Sequence, residues 1–378
     1  MCELKYKRIH KKNTFKKYNL IININKDKIN KNAIKNIQID HISFSKILAC
    51  FSVVILHTNG KFWEFNYDNY KKYWISANII ESIFYFAVPI FVLCIGATLL
   101  DFNERYGLIK YYKKRILKIV IPLLCWTFLF YFYKAFFIKN LKKIKITFEC
   151  LWNLYYGHNV YLIFGSLHSF LLLYLIIPLL AFIEKSQKLK IYSYCFITLF
   201  LSQSLFPYLI TIFRLNLVWI YNINVGLIIY IFAGYIIQNY QFSKFGKLII
   251  YILGFFGLLI HIIGTYILTL KKQKIISFHK GYLNVPCVLY SCSLFIFIKE
   301  NSFLLFKFIN KKFINKIGSL TLGPFFLHLP IIDFSRKYFK FNEYSLNYRL
   351  FGGIIICIIC FIITFFLRKI PLINYLVP

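Results

Sequence analysis

The chain has 378 residues, 59% hydrophobic and 21% aromatic, and its 47 Lys and Arg against 13 Asp and Glu give a formal charge of +34. Only 16% of residues are charged, too few to coat a soluble domain of this size, and the wealth of Ile, Leu and Phe excludes a disordered chain. A nucleic-acid-binding protein can be this basic but not this apolar, which leaves a polytopic, all-α membrane helical bundle with its charges in loops.

In chain order, residues 1–38 are a Lys/Asn-rich tail. No small-residue cleavage site follows an apolar core there, so it reads as a solvated cytoplasmic tail and not as a signal peptide or a nucleic-acid arm. Apolar stretches follow at about 40–57, 79–100, 116–138, 160–183, 191–213, 217–238, 248–270, 282–298, 318–334 and 350–367. A span takes roughly 20 residues, so these predict about ten transmembrane helices in one membrane domain, 39–371. The stretches at 282–298 and 318–334 are the shortest. With the N-terminus inside, 29 of the 47 Lys and Arg fall on the inner side and 17 on the outer. That bias predicts an N-in, C-in topology, against which the basic run at 139–145 stands on the wrong side. Most of the ten cysteines lie in apolar runs. Even the Cys357-x-x-Cys360 pair sits on a continuous apolar helix and reads as packing.

The first span carries two ionisable groups, Lys46 and His57, 11 positions apart. At 3.6 residues per turn that is three turns plus about 20°, so both project from one face about 16 Å apart, with Cys50 and Val53 between them. Intramembrane charges are costly and usually face a polar cavity; the alternative is that Lys46 snorkels to the interface and His57 ends the span. Pro89 and Gly96 interrupt the second span. Arg115 and Lys118, at i and i+3 where the third span begins, read either as positive-inside anchors or as a phosphate-binding pair.

Taken in order, several motifs resemble the membrane acyltransferase 3 family. They are Lys46-x10-His57, Val88-Pro-Ile-Phe with Ile95-Gly-Ala, Lys114-Arg-Ile-Leu-Lys-Ile-Val-Ile-Pro122, Tyr174-Leu-Ile-Ile-Pro178, residues 226–234 and Leu322-Gly-Pro-Phe-Phe-Leu-His328-Leu-Pro330. The resemblance spans roughly residues 38–370. Lys46 stands where the family usually has Arg, Ser43 where it has an acidic residue, Lys118 where it has a second Arg, and Ile95 precedes Gly96 where many members have Ser. Asp40, one turn before Ser43, is a substitute for the missing acid or a boundary marker.

The resemblance implies an O-acyltransferase of the cell (inner) membrane. It would use acetyl-CoA (acyl-CoA) as co-substrate, with no tightly bound cofactor, and a surface polysaccharide or lipid-linked sugar as acceptor. His57 would be the general base. Arg115 and Lys118 would hold the CoA phosphates, and Lys46 would line the path of the pantetheine arm. Glu81, Asp333 and His328 are further candidates for lining the site, the two carboxylates because they fall level with His57. His158, His168 and His261 are weaker candidates. No metal-ligand spacing, serine-hydrolase elbow or Walker loop occurs, and no nucleic-acid partner is expected. A glycan exporter or flippase built on the same bundle is the alternative; it would need a wide polar groove through the membrane.

Overall fold

The computed structural model describes residues 41–133, 163–215 and 226–377. The 1–38 tail, Asp40, the 139–145 run and His158 lie outside them. Every regular element among the described residues is helical. Six helical stretches are long and apolar enough to cross a membrane: His41–Thr58, Tyr67–Glu104, Lys185–Phe213, Lys244–Lys272, Phe278–Leu304 and Tyr348–Leu367. A seventh is the bent pair Lys311–Gly318 and Leu322–Phe339, broken by 64°. Ser169–Ala181 and Ile228–Asn239 are apolar but shorter, so fewer than ten helices meet that length among the described residues. The 282–298 stretch, expected to be short, belongs to one of the longer helices, Val285–Phe308.

The first helices in chain order are α1 (His41–Thr58), α2 (Tyr70–Phe84), α3 (Ala87–Leu99), α4 (Leu108–Arg115), α5 (Ile121–Tyr133) and α6 (Ile163–Ala181). Prolines explain their irregularities. Pro89 cannot donate to the carbonyl of Tyr85, and the break between α2 and α3 falls at Tyr85 and Phe86. Pro122 likewise cannot donate to Lys118, and the helix widens into a π-turn over Ile116–Val120 just before it, closed by the Ile121 amide on the Ile116 carbonyl. Pro178 lies inside α6 and releases the carbonyl of Tyr174, which accepts a 2.8 Å hydrogen bond from the Tyr111 hydroxyl.

Gly96 does not interrupt α3, contrary to its reading as a breaker. It is a contact point with α7 (Ile228–Asn239). A Cβ on Gly96 would lie 2.0 Å from the Ile231 carbonyl oxygen, and one on Gly234 would lie 2.2 Å from that of Leu93. The two glycines bring the backbones of α3 and α7 together, as small residues do between membrane helices.

Helix α1 is clamped at both ends. Ser43 packs on Gly318 at the bend of the broken pair, and Ile55 and Thr58 pack on Gly353. The Thr58 hydroxyl also donates to the Arg349 carbonyl at 2.8 Å. The chain stays packed beyond residue 371: the Trp126 indole N–H donates to the Leu376 carbonyl, and Val377 is buried.

Candidate active site

A cavity of about 410 Å³ opens beside the Lys46 end of α1. Its wall combines Lys46 with Arg115 and Lys118 from the π-turn region, Tyr174 from α6, Thr98 from α3 and Arg368, which follows the last helix. Among the described residues, four cations line it and no carboxylate does. The charges of Lys46, Lys114, Arg115 and Arg368 all act on Lys118, and among the described residues none of the four lining cations makes a salt bridge. Uncompensated like charge of this density is the electrostatic form of an anion site.

The guanidinium of Arg115 lies over the rings of Tyr111 and Tyr174, 5.5 and 5.2 Å from their centroids. These contacts hold its planar fork toward the cavity. Arg368 is held by Ser319, donating 2.9 Å to its hydroxyl and 3.3 Å to its carbonyl. The π-turn places both Arg115 and Lys118 in the wall.

Along α1 from Lys46, the cavity meets a slot lined by Cys50, Val53, Val54, Phe91, Phe325 and His328. Phe91 and Phe325 belong to both walls. The slot has no room for a water molecule. At its far end the rings of His57 and His328 face each other, centroids 5.0 Å apart and planes tilted by 48°. His57 is half-buried and His328 fully buried. His328 Nδ1 lies 2.8 Å from the Pro324 carbonyl, whereas its buried Nε2 has no partner.

Beyond His57 the polar groups form two networks. Glu81 is buried and accepts from the Asn59 amide at 3.1 Å; Arg349 donates to the Asn59 side-chain oxygen at 3.2 Å and to the Ser76 hydroxyl at 2.7 Å. Lys280 donates to Ser82 at 2.5 Å. Glu81, a candidate for lining the site, is therefore engaged with Asn59 and lines neither the cavity nor the slot. In the second network Lys61 pairs with Glu64 at 2.8 Å and Glu343 at 3.6 Å, and Glu343 also meets Arg336 at 3.4 Å. Partial burial pulls the Lys61 ammonium down, but the Glu64 hydrogen bond and the charges of Glu343 and Glu64 outweigh it and hold it above the ordinary lysine range. Arg336 in turn acts electrostatically on His57.

The structure thus gathers Lys46, Arg115 and Lys118 in one wall and places His57 and His328 together across the slot. Asp333 is half-buried on the His328 helix, outside both walls. His261 is buried within a π-turn, Ile260–Gly264, away from the cavity. His168 falls in α6. No group of three or more His, Cys, Asp or Glu able to hold a metal occurs among the described residues. Sequence reading missed Arg368, counted only as an inner-loop charge, because nothing local ties it to Ser319. It also counted Lys280, Arg349 and Lys188 as loop charges, yet each is only 1% exposed. Lys188 is instead paired with Asp101 at 2.8 Å.

Apolar membrane-length helices mark a multi-pass membrane protein, and its helix α1 carries a basic cavity at one end and a histidine pair at the other. Residues 39–367 match the acyltransferase 3 family, described as an acyltransferase domain, and the chain belongs to that family. It is an acyltransferase. Neither a curated protein nor a solved structure matches the chain.

Proposed function

We propose that this acyltransferase moves an acetyl group from acetyl-CoA to a hydroxyl of a surface polysaccharide or lipid-linked sugar. The observation that carries the reading is the layout of α1: Lys46 stands in a cavity ringed by four cations, and His57 lies beyond an apolar slot toward its other end. Arg115, Lys118, Arg368 and Lys46 hold the phosphates of the donor. The slot past Cys50 and Val53, shut in this structure, opens for the thioester arm to extend along α1 toward His57. His57 takes the proton of the acceptor hydroxyl as its oxygen attacks the thioester carbonyl. The carbon–sulfur bond breaks, and the departing CoA thiolate takes the proton from the imidazolium.

The inner membrane, a ten-span count and inward termini accompany this reading, supported by the excess of Lys and Arg at the Lys46 end. The apolar slot speaks against the exporter alternative, which needs a polar passage.

The test is base-labile acetate on the envelope glycan of cells that carry the intact chain or His57→Ala. Loss of the ester at normal protein level is expected. Unchanged ester content overturns the role of His57, and glycan that fails to reach the surface with the intact chain absent would favour transport.

A further inference from the structure

The least satisfied polar atom near the slot is His328 Nε2. The ring is fully buried, yet this nitrogen has no hydrogen-bond partner. Buried nitrogens of this kind are rare because an unmade bond costs the full desolvation of the atom. The other nitrogen settles its chemical state. A carbonyl oxygen only accepts, so Nδ1, at 2.8 Å from the Pro324 carbonyl, carries the proton in the neutral ring. Nε2 is then a bare lone pair.

Helix α8 (Leu322–Phe339) holds this arrangement from within one turn, because residues 324 and 328 are i and i+4. Phe325 packs near the imidazole, centroids 6.3 Å apart. Among the described residues, the other ring with nitrogens in contact with it is that of His57, at 5.0 Å. Two imidazoles joined by an N–H···N bond have centroids about 5 Å apart, since each nitrogen lies about 1.2 Å from its ring centre and the bond spans about 2.9 Å.

We propose that His328 is a positioning residue for His57: a turn of the half-buried His57 ring, 5.0 Å away, brings one of its N–H groups onto the bare Nε2 and so holds the other nitrogen, unprotonated, toward the acceptor hydroxyl. The inference rests on the acyl-transfer reading above and adds a second residue to it. When His57 takes the hydroxyl proton, both of its nitrogens carry hydrogen, and the one facing His328 keeps its acceptor. The proton then leaves with the CoA thiolate, so His328 is unchanged over the cycle. A neutral imidazole thereby fills the place that a carboxylate fills in a catalytic triad; Glu81, one of the two carboxylate candidates, is taken up by Asn59.

The test uses membrane vesicles from cells that make the full chain and its native acceptor, with radiolabelled acetyl-CoA and base-labile label in the envelope as the readout. His328→Gln keeps an acceptor near the Nε2 position, whereas His328→Phe keeps the bulk and removes it. The Phe variant is expected to lose roughly 100-fold or more in kcat with KM for acetyl-CoA unchanged, and the Gln variant to recover a substantial part of that loss. Equal loss in both variants, or a Phe variant that turns over like the parent, overturns the proposal. So does a parallel change in KM and kcat, which a merely structural role would give. A parent chain that binds acetyl-CoA but labels nothing removes the acyl-transfer reading, and this inference with it.

Discussion

Alanine at Gly96 or Gly234 tests the closest backbone approach in the bundle. The added Cβ would stand 2.0 Å from the Ile231 oxygen at one position and 2.2 Å from the Leu93 oxygen at the other, where ordinary contact begins at 3.4 Å. Both obstacles are backbone, so no rotamer change relieves them; α3 and α7 must part by about 1 Å, in a core packed like a crystal. Such overpacking costs about 1–3 kcal/mol, and the helical gain of alanine over glycine returns at most about 1 kcal/mol. Each single variant should therefore melt several degrees below the parent in detergent. Because either substitution opens the same interface, the double variant should cost less than the sum of the singles. Helix α3 carries Phe91, Cys94 and Thr98 of the cavity wall, so donor binding should weaken alongside stability. A Gly96→Ala protein that melts with the parent, or strictly additive losses, would refute the reasoning.

Two further outcomes follow from the charges. Arg115→Ala and Arg368→Ala should each weaken acetyl-CoA binding roughly 10- to 100-fold, the worth of one or two charge-assisted bonds, with a shallower salt dependence than the parent; a Kd unchanged in direct binding measurements would remove either residue from the anion site. Arg349→Met should lower the melting temperature by an amount equivalent to about 2–3 kcal/mol, since Asn59 and Ser76 lose a buried donor, and Arg349→Lys should not restore it because a single ammonium replaces the two guanidinium nitrogens that reach these residues; a melting temperature equal to the parent's would contradict the network.

The helical class and the placing of Lys46, Arg115, Lys118 and His57 were legible because they depend on local period and local composition. Eleven positions on one helix fix a face whatever surrounds it. The Cys50–Val53 face between Lys46 and His57 borders a slot, and a shut one. What escaped the sequence was long-range. Arg368 reaches the cavity only because the bend places Ser319 beside it, and no pattern in either segment announces the other. Lys280 and Arg349 carry the appearance of loop cations, and burial followed from partners 198 and 290 positions away in the chain. Mean hydropathy likewise marks apolar stretches but does not say which prolines will bend them, as at Pro89 and Pro122.

The shut slot has an electrical consequence. A membrane protein with a basic vestibule at one end and a polar network at the other is one open tunnel away from being a leak for protons and ions. Side chains from α1, α3 and α8 seal that tunnel so tightly that not one water fits. At rest the bundle therefore insulates.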